Sequence, residues 1–120
     1  MGIASFVTDE AGNVAGANVT AAGTATHLGL WTAVGSVKFI FENGTTRSFG
    51  VATFTAANGD KLEAISEGTL DPNTGIDRGG FHFVGGTGRF EGASGAADFL
   101  VSINQLNGGF EITMVGKINF

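Results

Sequence analysis

The chain has 120 residues, of which 21 are Gly, 11 are Phe and none is Cys, and its formal net charge at pH 7 is −5. This length predicts one domain, residues 1–120, with enough apolar residues to bury a core. The lack of Cys excludes disulfides and thiolate chemistry, and the six dispersed Lys and Arg form no basic face, so we expect neither nucleic acid nor a membrane as a partner.

Apolar and polar residues alternate through most of the sequence, as in strands with one buried face. In chain order, this alternation predicts strands at 3–8, 15–27, 29–41, 46–56, 61–70, 78–84, 96–105 and 109–120. Turn sequences separate the strands at fairly even spacing, and three of the five contain Asn-Gly, which tolerates the positive φ angles of tight hairpins. No segment has helical periodicity, although a single helical turn fits around 88–92.

About eight antiparallel strands joined by short hairpins form an up-and-down meander. An open meander would expose two strand edges, which invites aggregation, whereas closure into a barrel removes both edges. We therefore predict an all-β fold with a single closed antiparallel barrel. At about eight strands, the interior of such a barrel is either filled by side chains or holds one small ligand.

The most specific segment is the glycine-rich run from Gly85 to Gly95. Its glycines follow the spacing G-x-G-x-x-x-G, which departs from the G-x-G-x-x-G of dinucleotide-binding loops. Those loops also precede a helix whose N-terminus meets the pyrophosphate, and here a predicted strand follows almost at once. The run therefore predicts a turn with a bulge, and a phosphate-binding loop is the less favoured alternative.

The run from Phe83 to Gly95 is followed by two predicted strands, the second of which ends in Gly116-Lys117-Ile118. This arrangement resembles the allene oxide cyclase-like barrels. That superfamily includes the plant allene oxide cyclases, the dirigent proteins and small bacterial members without an assigned function. The resemblance covers residues 60–120. It implies an eight-stranded barrel with a hydrophobic cavity, no cofactor, and assembly into dimers or trimers. Because the first strands, which carry most functional polar groups in the plant cyclases, do not align, the resemblance assigns no catalytic residue.

The candidate site residues are those expected to face the interior. A His in an apolar cavity is the natural acid–base group near neutral pH, which makes His27 the candidate catalytic residue, although a lone His on such a face more often has a structural role. Trp31, Phe39, Phe41 and Phe99 are the candidate ligand-binding residues, with plain core filling as the alternative. The two His residues lack the spacing of metal ligands, so no metal site is predicted.

Two functions fit this sequence. The first is a cofactor-independent cyclase or isomerase acting on an apolar small molecule in the barrel. A cavity without water would hold the substrate in a reactive conformation. The alternative is a non-catalytic module that binds a lipophilic ligand or only assembles. A polar residue that reaches into an open apolar cavity would separate them, since only the enzyme needs one.

Two further expectations concern assembly and location. Ile40, Ile65 and Val115 fall on the polar faces of their strands, which indicates an interface between copies of the chain, in a dimer or a trimer. The N-terminus lacks the basic region of a signal peptide, which predicts a cytoplasmic protein. A chain from which a signal peptide had been removed would look the same.

Overall fold

The computed structural model describes residues 2–8, 14–25, 28–71, 73–104 and 108–119. Within these ranges the chain forms eight strands and one short 3-10 turn, Gly88–Phe90. The strands are β1 (Gly2–Thr8), β2 (Val14–Ala25), β3 (Gly29–Glu42), β4 (Thr45–Thr55), β5 (Lys61–Asp71), β6 (Ile76–Gly86), β7 (Ser94–Ile103) and β8 (Gly109–Asn119). The all-β class predicted from the alternation is confirmed.

Each strand pairs antiparallel with the next, and β1 also pairs with β8, so the meander closes into a ring. The closing contact is short. In the part of the chain that the structure describes, it consists of Gly2 opposite Phe110 and Ile3 opposite Gly109, extended by a 2.7 Å hydrogen bond that the Ala4 N–H donates to the carbonyl oxygen of Gly108. The other strand pairs are far longer: β3 and β4, for example, stay in register from Thr32–Thr55 to Glu42–Thr45.

Antiparallel order gives the ring two distinct ends. The hairpins β3–β4 and β5–β6 turn at one end, which we call the hairpin end. The loops 56–60 and 87–93 lie at the other end, together with the 3-10 turn. We call this second end the plugged end because Phe90 from the 3-10 turn is fully buried there, as is Leu62 at the start of β5.

The glycine-rich run forms the loop that delivers Phe90. Gly85, Gly88 and Gly92 all have positive φ angles, which L-residues adopt at a cost. Asp60 holds this loop against the β4–β5 turn, since its carboxylate accepts a 3.3 Å hydrogen bond from the Arg89 N–H. The run therefore acts as a plug for the ring, and no helix follows it as one would in a phosphate-binding loop.

The core lies inside the ring and is dominated by aromatic rings. Trp31, Phe54, Phe81 and Phe99 come from four different strands and contact one another in series, with centroid distances of 5.3, 5.6 and 4.9 Å. Such edge-on and tilted pairs add about 0.5–1.5 kcal/mol each to the area that they bury. A second cluster of Ala4, Ala17 and Phe110 packs beside the closing contact.

Candidate functional site

The ring encloses a cavity of about 110 Å³. It extends from Trp31 and Phe54, which lie toward the plugged end, to Phe6 and Ile103, which lie toward the hairpin end. Its wall is almost entirely apolar. The aromatic series described above forms part of this wall, so the same side chains that stabilise the fold also shape the space inside it.

The structure brings together three of the five candidate site residues. Trp31, Phe39 and Phe99 all line the cavity. Phe41 does not join them: it is 75% exposed, because it lies at the far end of β3, next to the hairpin that begins at Glu42. His27 lies outside the described residues.

Several lining residues were not among the candidate site residues. Phe54 and Phe81 complete the aromatic wall, and Phe6 and Phe110 line the cavity near the closing contact. The alternation in β4 and β6 places Phe54 and Phe81 on an inner face, so this pattern could have identified them. It could not have separated residues that line a space from residues that fill one.

The polar residues in the lining are Ser36, Ser66 and Asp77, and Asp77 is the one ionisable group that the described residues place there. Asp77 is only 7% exposed and accepts a 3.0 Å hydrogen bond from the Ser48 hydroxyl. Gly68, on the strand between them, makes room for this pair. A Cβ atom at Gly68 would lie 2.6 Å from Asp77 Oδ1 and 2.9 Å from Ser48 Oγ.

Asp77 was missed because the predicted sixth strand began at residue 78. In the structure β6 begins at Ile76, so Asp77 shares an inner face with Gly79, Phe81 and Phe83. Burial raises the pKa of the Asp77 carboxyl above its ordinary value, and the hydrogen bond from Ser48 acts in the opposite direction. A neutral carboxyl can both donate and accept a hydrogen bond, whereas an ionised one only accepts.

The raised pKa of Asp77 predicts a pH-dependent stability. The folded chain keeps this proton to a higher pH than the unfolded chain, so the free energy of unfolding falls as the pH rises through the ordinary and then the raised pKa. Asp77→Asn removes the ionisation, and we expect its stability relative to the parent to increase over this range. Urea unfolding of both proteins from about pH 3 to pH 7 measures the difference, and a difference that does not change with pH would contradict the prediction.

Trp31 carries a second unusual polar atom. Its side chain is buried, at 3% exposure, and its indole Nε1 has no hydrogen-bond partner among the described residues. Buried donors are nearly always satisfied, by protein or by water. Because Trp31 lines the cavity, an acceptor atom on a bound molecule can supply the missing partner. A bound molecule can therefore make two polar contacts in the cavity. An acceptor atom on the molecule can receive the Trp31 N–H, and a polar group on it can hydrogen-bond to the Asp77 carboxyl.

The outer surface offers little further chemistry. His82 is exposed on the outside of β6, opposite Ile65 and Ala96. The described ranges contain no group of three or more potential metal ligands and no helix long and apolar enough to cross a membrane. Comparison with protein-family models, curated proteins and solved structures found no match to the chain. The interior cavity is therefore the feature of the molecule that bears on its function.

Proposed function

We propose that the protein binds a small, largely apolar molecule inside its ring, and that the ring is a barrel of the allene oxide cyclase-like kind. The observation that supports binding is the interior cavity of about 110 Å³ with a nearly apolar wall. An engineered apolar cavity of about 150 Å³ in another protein binds benzene. A guest about the size of one small ring therefore suits this cavity, and a longer molecule would have to displace residues near the hairpin end, such as Phe6 or Phe39.

A second candidate function is a cofactor-independent isomerase or cyclase, and Asp77 is the observation that favours it. An enzyme of this kind needs a polar residue that reaches into the apolar cavity, and Asp77 lines the cavity while the Ser48 hydroxyl donates a hydrogen bond to its carboxyl group. In its neutral form, Asp77 would give a proton to the guest and take one back from another position, so the reaction needs no other reactant. His27 remains a candidate from the sequence alone.

The homo-oligomer stays part of the proposal. Ile40, Ile65 and Val115 are 37%, 46% and 73% exposed, so contact with another copy of the chain would bury apolar surface that a single copy leaves in water. Dimers or trimers formed through these outer faces would leave the interior cavity unchanged.

Toluene is a suitable probe of the cavity, and Trp31, the only Trp in the chain, provides the signal. We expect toluene to change the Trp31 fluorescence in a saturable way. Ala33→Leu should weaken toluene binding at least tenfold, because Ala33 lines the cavity and the larger side chain fills part of it. Thr32→Leu, on the exposed outer face of the same strand, is the matched control and should bind like the parent.

Both variants are first shown to be folded by circular dichroism and urea unfolding. If a folded Ala33→Leu protein binds toluene as well as the parent does, the probe does not enter the cavity and the binding proposal fails. Asp77→Asn then separates the two candidate functions. It should leave toluene binding intact in either case, and it should abolish turnover of a candidate substrate only if the protein is an enzyme.

A further inference from the structure

The carboxyl group of Asp77 has no basic partner in the described interior of the ring. All six Lys and Arg residues of the chain are exposed. On β6 itself the other ionisable residues are Arg78 and His82, and both are exposed. The ionisable residues of the strands around it, β4, β5 and β7, are exposed as well: Arg47, Lys61, Glu63, Glu67, Asp71 and Asp98. Asp77 is therefore an acid inside the ring without a cation beside it.

The Asp77 carboxyl also has hydrogen-bonding capacity to spare. Within the described residues it receives one hydrogen bond, which the Ser48 hydroxyl donates to Oδ1. An ionised carboxylate can accept about four. Burying such a group costs free energy unless an opposite charge compensates, and this cost is the reason that burial raises the pKa of Asp77. An acid that only filled the core would stabilise the ring less than an apolar side chain of similar size.

The lining near Asp77 offers two further contacts for a positive charge. Ser66 lines the cavity on the same face of β5 as Gly68, the residue that makes room for the carboxyl group. Its hydroxyl oxygen can accept a hydrogen bond. Phe99 lines the cavity from β7, where it pairs with Gly79, two residues from Asp77 along β6. Because the face of an aromatic ring attracts a cation, an acid, a hydroxyl and an aromatic ring all favour positive charge here.

We propose that the molecule bound in the cavity is a small apolar amine, whose ring contacts the aromatic wall and whose ammonium group pairs with the Asp77 carboxylate. This inference rests on the proposed binding function and names the class of guest. Opposite charges attract each other more strongly in an apolar cavity than in water, and the ammonium group supplies the cation that the described interior lacks. The rest of the guest is about one ring in size, which agrees with the cavity volume of about 110 Å³.

Benzylamine is the probe, and benzyl alcohol is the matched neutral guest, with the same ring and almost the same size. Binding is measured by calorimetry and by Trp31 fluorescence at about pH 8, where a primary amine is still protonated. We expect benzylamine to bind at least tenfold more tightly than benzyl alcohol. Ala33→Leu should weaken the binding of both guests, because both occupy the cavity that Ala33 lines.

Asp77→Asn tests the ion pair directly, because it keeps the shape of the side chain and removes its charge. We expect it to weaken benzylamine binding at least tenfold and to leave benzyl alcohol binding unchanged. Asp98→Asn is the control: it removes the same charge from an exposed position on β7 and should bind benzylamine like the parent. Equal losses in the two variants would mean that the amine is attracted only by the net negative charge of the chain, and would overturn the proposal.

The parent protein provides a second test that requires no variant to fold. Between about pH 3 and pH 8 benzylamine stays protonated while Asp77, whose pKa is raised by burial, loses its proton. The affinity for benzylamine should therefore rise with pH, and the affinity for benzyl alcohol should not. An affinity for benzylamine that does not change with pH would contradict the ion pair.

The toluene experiment separates failure of this inference from failure of the proposed function. If toluene binds the parent and benzylamine binds no more tightly than benzyl alcohol, the amine is the wrong class of guest, and binding of an apolar molecule stands. If neither toluene nor benzylamine binds, the binding function and this inference fail together.

Discussion

Replacing Phe90 with alanine is expected to lower the free energy of unfolding by about 3–5 kcal/mol. The Phe90 side chain is fully buried, and the 3-10 turn places it in the main aromatic cluster at the plugged end. Truncation removes its apolar contacts and leaves a cavity that the short, pinned loop cannot collapse to fill. Urea unfolding monitored by Trp31 fluorescence measures the loss.

Phe41→Ala is the matched control for this substitution. It removes the same atoms from a side chain that is 75% exposed, so we expect a change of about 0.5 kcal/mol or less. Similar losses for Phe90→Ala and Phe41→Ala would mean that the plug does not stabilise the ring, and the role given to the glycine-rich run would be wrong.

Gly79→Ala should destabilise the protein strongly, by about 2–3 kcal/mol or enough to prevent folding. A Cβ atom at Gly79 would collide with the carbonyl oxygen of Glu67 and lie 2.5 Å from the Cα atom of Gly68. These are backbone atoms of the adjacent strand, so no rotation of a side chain can relieve the overlap. The two glycines face each other across β5 and β6, which allows the strands to approach closely beside Asp77.

Gly80→Ala is the control, one residue along the same strand. The nearest atom to a Cβ there is the Ala97 carbonyl oxygen at 3.4 Å, an ordinary contact. Neither glycine has a positive φ angle, so the two substitutions differ in the space available and not in backbone conformation. We expect Gly80→Ala to unfold within about 0.5 kcal/mol of the parent. A loss at Gly80 as large as that at Gly79 would contradict the steric explanation.

Much of the fold could be predicted because alternation reports which face of each strand is buried. Most predicted strand boundaries lie within two or three residues of those observed, and the last strand, predicted at 109–120, is Gly109–Asn119. The Asn-Gly turns contributed for a clear reason. Asn43, with a φ of 52°, is the one non-glycine residue with positive φ among those described, and Gly44 follows it at 77°. Local sequence determines such a turn without help from the rest of the fold.

The candidate site was less predictable, because its shape depends on contacts between strands that are distant in sequence. Alternation gave Phe39 and Phe41 the same face, but it does not reveal where along β3 the cavity ends, and Phe41 lies beyond that point. Asp77 next to a turn sequence resembles an ordinary loop carboxylate. Only the pairing of β6 with β5, and the missing side chain at Gly68, show that Asp77 has an interior position beside Ser48.

The closing contact could not have been predicted from any single strand. Its existence depends on the register of β1 against two partners, and register between the first and last strands has no local signal. The predicted first strand, 3–8, is close to the observed Gly2–Thr8. What the sequence does not reveal is that β2 and β8 extend well beyond it.

The closing contact between β1 and β8 also bears on how the ring forms. It joins the first and last strands, so it closes the longest loop in the chain, and the chain entropy lost on closure grows with loop length. Among the described residues, the pairing that compensates for this loss comprises two residue pairs and the bond from Ala4 to Gly108. The pairing of β1 with β8 is thus the shortest strand pairing described in the ring, and it closes the longest loop. We therefore expect the folded chain to open most easily at this contact.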